Sequence, residues 1–193
     1  MRILGADGIG PASRYCDAHL YLILDCLVHE DHASRMRLTE VTGLGEGSVR
    51  SLIRILGKWG LVNTARRGTR ITDAGLAIYS QLGMRIVDCR CEDYSTGEYQ
   101  CGVIIRGLAD EVDDGLRQRD TAVRNGAEGA TVLVMREGNI VFPRDTVIDD
   151  AYPEFTEGLK AAGMSEGDVF MLVGAGTEAA ARCAAAGTGV ALL

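Results

Sequence analysis

Three cations stand four residues apart at Arg50, Arg54 and Lys58, with Ser48 and Ser51 among them. Guanidinium and ammonium groups bond phosphate oxygens, and a guanidinium facing a base edge also reads guanine. Three more arginines follow at Arg66, Arg67 and Arg70, bunched around Gly68. A cationic cluster of that kind suits phosphate or minor-groove contact. These eight side chains (Ser48, Arg50, Ser51, Arg54, Lys58, Arg66, Arg67 and Arg70) form the candidate DNA-contacting set. A second set lies further on. Arg106 closes the apolar run Val103-Ile104-Ile105, Arg119 and Asp120 sit in a charged stretch, and Gly174-Ala175-Gly176-Thr177 follows another apolar run. Guanidinium groups clamp carboxylates and phosphates bidentately, and backbone N–H groups at a helix start take anions. Arg106, Arg119, Asp120, Gly174, Gly176 and Thr177 are therefore the candidate ligand-binding residues, and the ligand they suggest is a small anionic metabolite.

Each set has a blander reading. Arginines four apart also occur on an ordinary solvated helix face, and Arg66-Arg67 on an exposed turn. Asp113 and Asp120 precede Arg117 and Arg124 by four residues, the spacing of helical ion pairs. The glycines from Gly174 fit a plain turn closing a strand. A dinucleotide fold also wants an acidic residue about 20 positions on. The 14 residues after Ala179 do not reach it, so no cofactor is expected.

The elements that must position these residues follow from apolar spacing. Val49, Leu52, Ile53 and Leu56 fall at i, i+3, i+4 and i+7, the stripe of an amphipathic helix. At 100° per residue Arg50, Arg54 and Lys58 take the opposite side. Gly45 or Gly47 can cap this helix, and Glu46 suits the positive end of its dipole. A short helix from about Leu38 to Thr42 precedes it. Strands at Leu61–Ala65 and Thr69–Thr72 flank the turn Arg66-Arg67-Gly68, where Gly68 supplies positive φ. Trp59 is expected to plug the core under this hairpin. Ahead of all this, Ser13 is the expected N-cap of a helix with core stripe Leu20, Ile23, Leu24 and Leu27; Asp73–Leu82 reads as a further helix.

Gly83 marks an expected boundary, dividing residues 1–83 from 84–193. Beyond it, strands are expected at Arg85–Cys91, Tyr99–Ile105, Thr131–Met135, Ile140–Phe142, Val169–Val173 and Val190–Leu193. Helices are expected at Asp110–Asn125 (with Val112, Leu116 and Val123 among its apolar positions), Glu154–Ala162 and Thr177–Ala186. The fold class is thus α+β: a helical DNA-binding unit followed by a small α/β domain with a mixed sheet.

Charge divides along the same line. The chain carries −7 overall, but residues 1–85 hold eleven Lys and Arg against eight Asp and Glu, and residues 86–193 nine against nineteen. The acidic half resists non-specific DNA contact and leaves the front half to bind. Aromatic residues are 5% of a chain that is 47% hydrophobic, so the cores are aliphatic. No membrane span or signal peptide is read, which makes the cytoplasm the default compartment. The six cysteines form no C-x-x-C pair and are most simply free thiols. Cys89, Cys91 and Cys101 offer three thiolates to zinc without an evident fourth ligand, so no metal is expected. All three histidines lie in the first 32 residues, and no nucleophile–base arrangement can be assembled; the chain is not read as an enzyme.

Helix, turn, helix and hairpin in this order resemble a winged helix-turn-helix DNA-binding domain. Further residues carry a likeness over nearly the whole chain: Pro11-Ala12-Ser13-Arg14-Tyr15, Val103-Ile104-Ile105-Arg106-Gly107, Gln118-Arg119-Asp120-Thr121-Ala122 and Gly126-Ala127-Glu128-Gly129-Ala130-Thr131. With these the chain resembles an archaeal family of winged-helix proteins with a C-terminal domain of unknown function. The resemblance implies a transcriptional regulator whose second domain senses a ligand or pairs subunits. The expected partners are double-stranded DNA, a second copy of the chain and the anionic effector. Two other readings stay open: an enzyme whose helical unit is an interaction module, and a structural adaptor.

Overall fold

The computed structural model describes residues 15–94, 97–144 and 146–193. They divide into two compact units, one running through Leu82 and one spanning Gly83–Leu192.

The first unit orders α1 (Asp17–His29), α2 (Arg35–Thr42), α3 (Glu46–Lys58), β1 (Val62–Ala65), β2 (Gly68–Ile71) and α4 (Asp73–Gln81). Helix α1 begins at Asp17, with Cys16 as its N-cap; Ser13 lies outside the described residues. Ser34 caps α2 by accepting from Arg37 N at 3.1 Å, and Gly43 ends it at φ +67°. The core joins Leu20, Ile23, Leu24 and Leu27 of α1 to Leu38 of α2, Val49, Leu52 and Leu56 of α3, and Leu61 and Val62. Buried Asp25 accepts from Tyr79 Oη at 2.7 Å, and the Tyr79 ring stacks on Tyr21. A carboxylate with hydrogen-bond partners can stay inside at tolerable cost, and here it ties α4 to α1.

Two expectations need correction in this unit. Trp59 is 44% exposed. It caps the end of α3, Gly60 at φ +73° turns the chain behind it, and Leu56 and Leu61 fill the core position instead. Gly68 belongs to β2, paired with Ala65, so the turn is the two residues Arg66 and Arg67. The glycine is needed for close approach: at φ +130°, a Cβ there would meet the Ala33 carbonyl oxygen at 2.6 Å. Ala33 and Thr69 exchange both backbone hydrogen bonds at 2.9 Å, which adds one bridge to the hairpin.

The second unit is a five-stranded sheet in the order β3 (Met84–Val87), β4 (Tyr99–Ile105), β7 (Val169–Ala175), β5 (Gly129–Arg136), β6 (Asn139–Val141). All its ladders are antiparallel, so the sheet is not the mixed one suggested by alternating strands and helices. Helices α5 (Leu116–Arg124) and α7 (Glu178–Leu192) pack on one face. Helix α6 (Pro153–Ala161) covers the other through Phe155 and Leu159, which share a core with Ile104, Phe170 and Leu172. Coverage on both faces explains why every residue of β7 is buried.

The helices also depart from expectation. Helix α5 starts at Leu116 because Gly115 adopts φ +77° and Asp114 turns back to accept from Leu116 N at 3.0 Å. Asp113 therefore stands outside the helix, and among the described residues neither of the expected Asp–Arg ion pairs forms. Leu116 and Val123 are 57% and 51% exposed, while Gln118 and Ala122 face inward. Helix α7 runs on to Leu192 where a final strand was expected. A Cβ at Gly187 would lie 2.5 Å from Asn125 Oδ1, and one at Gly189 2.4 Å from Met84 Cε. These glycines let α7 lie tightly against its neighbours, and the packing outweighs their poor helix propensity.

The β5–β6 turn has Glu137 at φ +51° and Gly138 at φ +77°, the left-handed pair of a tight hairpin. The exposed Glu166 carboxylate accepts from both of their N–H groups, at 2.9 and 3.0 Å, which holds its carboxyl below the ordinary value of 4.5. A carboxylate with a lowered folded-state pKa adds stability above its ordinary titration range, and loses it as pH falls through the lowered value. Glu166→Gln should therefore flatten the acid decline of the urea midpoint measured from neutral pH downward. Parallel declines in parent and variant would show that the contact contributes nothing.

Candidate functional site

Helix α3 buries Val49, Leu52 and Leu56 and turns Arg50, Arg54 and Lys58 outward, all exposed. Ser48 and Ser51 are half-buried at the margin, and Ser51 Oγ donates back to the Gly47 carbonyl at 3.1 Å. That hydroxyl can still accept. Arg66, Arg67 and Arg70 are exposed on the hairpin. Among the described residues none of these six cations is in an ion pair, whereas Arg37 on α2 is bonded to Glu30 at 2.7 Å and to Glu40 at 3.5 Å. Unneutralised cations on elements anchored by a packed core give a standing positive potential, and binding then has to order only their side chains.

The second candidate set does not converge. Antiparallel pairing places Tyr99 beside Ala175 and Ile105 beside Val169. Arg106, just past one end of β4, is thus separated from the glycine turn at the far end of β7 by about 20 Å, from the rise of a strand. Arg106 lies 3.7 Å from buried Asp168 and 3.4 Å from Ser165 Oγ. Asp168 also accepts from Gly107 N, Ser165 N and Ser165 Oγ, so this arginine closes a structural knot. Arg119 and Asp120 are exposed on α5. Gly174 belongs to β7 itself, and Thr177 Oγ1 accepts from Ala180 N at 3.2 Å as a cap of α7. A Cβ at Gly176 would lie 3.1 Å from Glu128 Oε1, so a carboxylate already stands over the turn.

The three thiols considered for zinc are also divided. Cys91 and Cys89 join the α6-side core, and the Cys89 sulfur lies 2.7 Å from where a Gly102 Cβ would be. Cys101, one residue earlier on β4, faces the other side by strand alternation.

What the fold does assemble is a cleft of about 770 Å³ beside the glycine turn, lined by Asp88, Arg90, Glu98, Tyr99, Glu178 and Arg182 among others. Gln100 pairs with Gly174, and its amide bonds Cys91 N at 2.8 Å and Cys91 O at 3.1 Å, which fixes the segment after β3. Arg182 Nη2 lies 2.6 Å from Asp88 Oδ1; the arginine side chain is 20% exposed and the aspartate 77%. Burial is the largest effect on Arg182 and opposes its charge, but the groups around it, Asp88 first and Glu178 among them, together outweigh burial and raise the pKa. Cys89 is pushed up to about 12, chiefly by burial and then by Asp88, so it is a neutral thiol and not a nucleophile. Sequence reasoning missed Arg182, although a signal for it exists. Glu178 and Arg182, four apart, are the only charged residues in an alanine-rich helix just after a glycine turn.

Residues 96–192 match a family described as "Domain of unknown function (DUF4443)". No curated protein matches the chain. Among solved structures, it is similar to a hypothetical protein from Pyrococcus horikoshii OT3, with a TM-score of 0.75 and 24% identity over 93% of each chain. That likeness is one of fold. Among the described residues no helix is long and apolar enough to cross a membrane.

Proposed function

We propose that this chain, which belongs to the DUF4443 family, is a DNA-binding transcriptional regulator. Its first unit acts as a winged helix-turn-helix domain, with α3 in the major groove and the β1–β2 hairpin on the flanking backbone. The observation that carries the reading is the set of six exposed cations outside any ion pair among the described residues, on α3 and the hairpin, opposite a buried apolar stripe. One such unit reaches few base edges, so the working form is a homodimer reading two half-sites about one helical turn apart. The second unit senses a small ligand, and binding favours one arrangement of the regulator over another.

Selection of genomic fragments by the purified full chain, read by sequencing, tests the proposal. Enrichment of a two-part motif is expected. Trp59, the only tryptophan and 44% exposed at the end of α3, gives an independent signal, since its fluorescence should change on adding an enriched duplex. Recovery of fragments without a shared motif would leave α3 as an ordinary solvated helix.

A further inference from the structure

We propose that the cleft between the segment after β3, the start of β4 and the first turn of α7 binds a small zwitterion of the α-amino-acid class. Its effect on DNA rests on the function proposed above; its occupancy does not.

Size permits it. A volume of about 770 Å³ lies within the ordinary range for small-molecule sites, about 300–1,000 Å³. Charge then selects the ligand. Three carboxylates (Asp88, Glu98, Glu178) and two guanidinium groups (Arg90, Arg182) line the same space, with Arg182 bonded to Asp88 at 2.6 Å and Arg90 to Glu92 at 3.3 Å. An anion would face all three carboxylates, and a polyamine both guanidiniums. A molecule with an ammonium and a carboxylate a few ångströms apart meets an opposite charge at each end, and like-charge contact is what excludes the others.

The individual residues assign the ends. Arg182 is held by Asp88 through one nitrogen of its fork, and a guanidinium carries five N–H donors in fixed geometry, so it can also take a ligand carboxylate. Glu178, one helical turn before Arg182 and near enough to act on its charge, and Glu98, just before β4, are in no salt bridge among the described residues. They are the acceptors for the ammonium. Tyr99, 41% exposed, adds an aromatic side chain to the lining of the same cleft. Because the walls come from three separate stretches of chain, occupancy would hold them together, the kind of differential contact a switch requires.

The test titrates individual L-amino acids into the full chain by calorimetry, in the absence of DNA. Each hit is followed by its decarboxylated amine and its deaminated acid. At least one amino acid should bind with one-to-one stoichiometry, and both single-charge analogues should bind about tenfold or more weakly, because each lacks one charge-assisted contact. Glu98→Gln, an exposed substitution, should weaken binding by about the same factor; Arg182→Lys should also weaken it, because a bidentate fork is removed. Absence of binding by every amino acid overturns the proposal. So does an amine or acid that binds as well as its zwitterion, or variants that bind like the parent. DNA retention is measured separately without ligand. A chain that holds DNA but no amino acid overturns this inference alone; one that binds an amino acid but no DNA supports it and overturns the DNA reading.

Discussion

Arg54→Glu should reduce affinity for an enriched duplex by about a thousandfold. Arg54 is the middle of three cations on the outward face of α3 and is exposed, so its replacement should leave folding stability within about 0.5 kcal/mol. A bidentate arginine–guanine contact is worth about 1–3 kcal/mol. In a dimer the loss occurs in both half-sites, about 4 kcal/mol in sum, and about 1.4 kcal/mol is a factor of ten. The introduced carboxylate adds repulsion from phosphate. Arg67→Ala, at the hairpin tip, should behave differently. It should weaken binding to all sequences alike and lower the slope of log K against log salt by about 0.9 for each phosphate that the arginine neutralises in the parent. Fluorescence anisotropy on the selected duplex and a scrambled one, at several salt concentrations, separates the two effects. Binding by Arg54→Glu within a few-fold of the parent, with an unchanged melting temperature, rules out α3 as the reading element.

The second large effect concerns two glycines in the first unit that look alike in sequence and should respond with opposite sign. Gly57 lies in α3 with no contact closer than 3.8 Å to an added Cβ, and Gly75 lies in α4. Alanine in a helix is favoured over glycine by about 0.8–1.0 kcal/mol, so Gly57→Ala should stabilise the unit by up to about that much. At Gly75 the same gain is overwhelmed. A Cβ there would sit 2.2 Å from the Leu61 carbonyl oxygen and 2.7 Å from Ile71 Cγ1. The backbone must shift to admit it, and overpacking costs about 1–3 kcal/mol or more. Leu61 O also accepts from Thr72 N at 3.0 Å, so the shift strains the start of α4 as well. A net destabilisation of about 1 kcal/mol or more is expected after the propensity gain is subtracted. Urea denaturation of both variants checks it, and a Gly75→Ala midpoint at or above the parent's would mean that α4 does not approach the hairpin base this closely.

Much of the first unit is legible in the sequence because its signals are local. The i, i+3, i+7 spacing of Val49, Leu52 and Leu56 identifies α3 and, by subtraction, the side on which Arg50, Arg54 and Lys58 stand. Gly43 and Gly60 both take the positive φ that punctuates helix ends. Trp59 misleads because size and aromaticity favour burial on average, while the helix rotation at that one residue carries it outward. In the second unit, the run Val169–Val173 is recognisable as a buried strand. Residues 187–189 are not recognisable as helix, since glycine, threonine and glycine are weak helix formers. Their place in α7 comes from contact with Asn125 and Met84, residues distant in sequence.

The candidate ligand residues mark the division most clearly. Sequence alone determined that an arginine follows β4, that a glycine turn follows β7, and that the N-terminal half is basic and the rest acidic. Each is a property of a residue and its near neighbours. Whether the arginine and the turn meet depends on strand direction, which composition and periodicity do not carry: a period of two is the same in a parallel and an antiparallel strand. Only the tertiary structure decided it. Pairing Tyr99 with Ala175 and Ile105 with Val169 sent Arg106 to the far end of the sheet. It brought Asp88, Glu98 and Arg182 together beside the glycine turn instead, because in an antiparallel pair the end of one strand lies beside the beginning of the other.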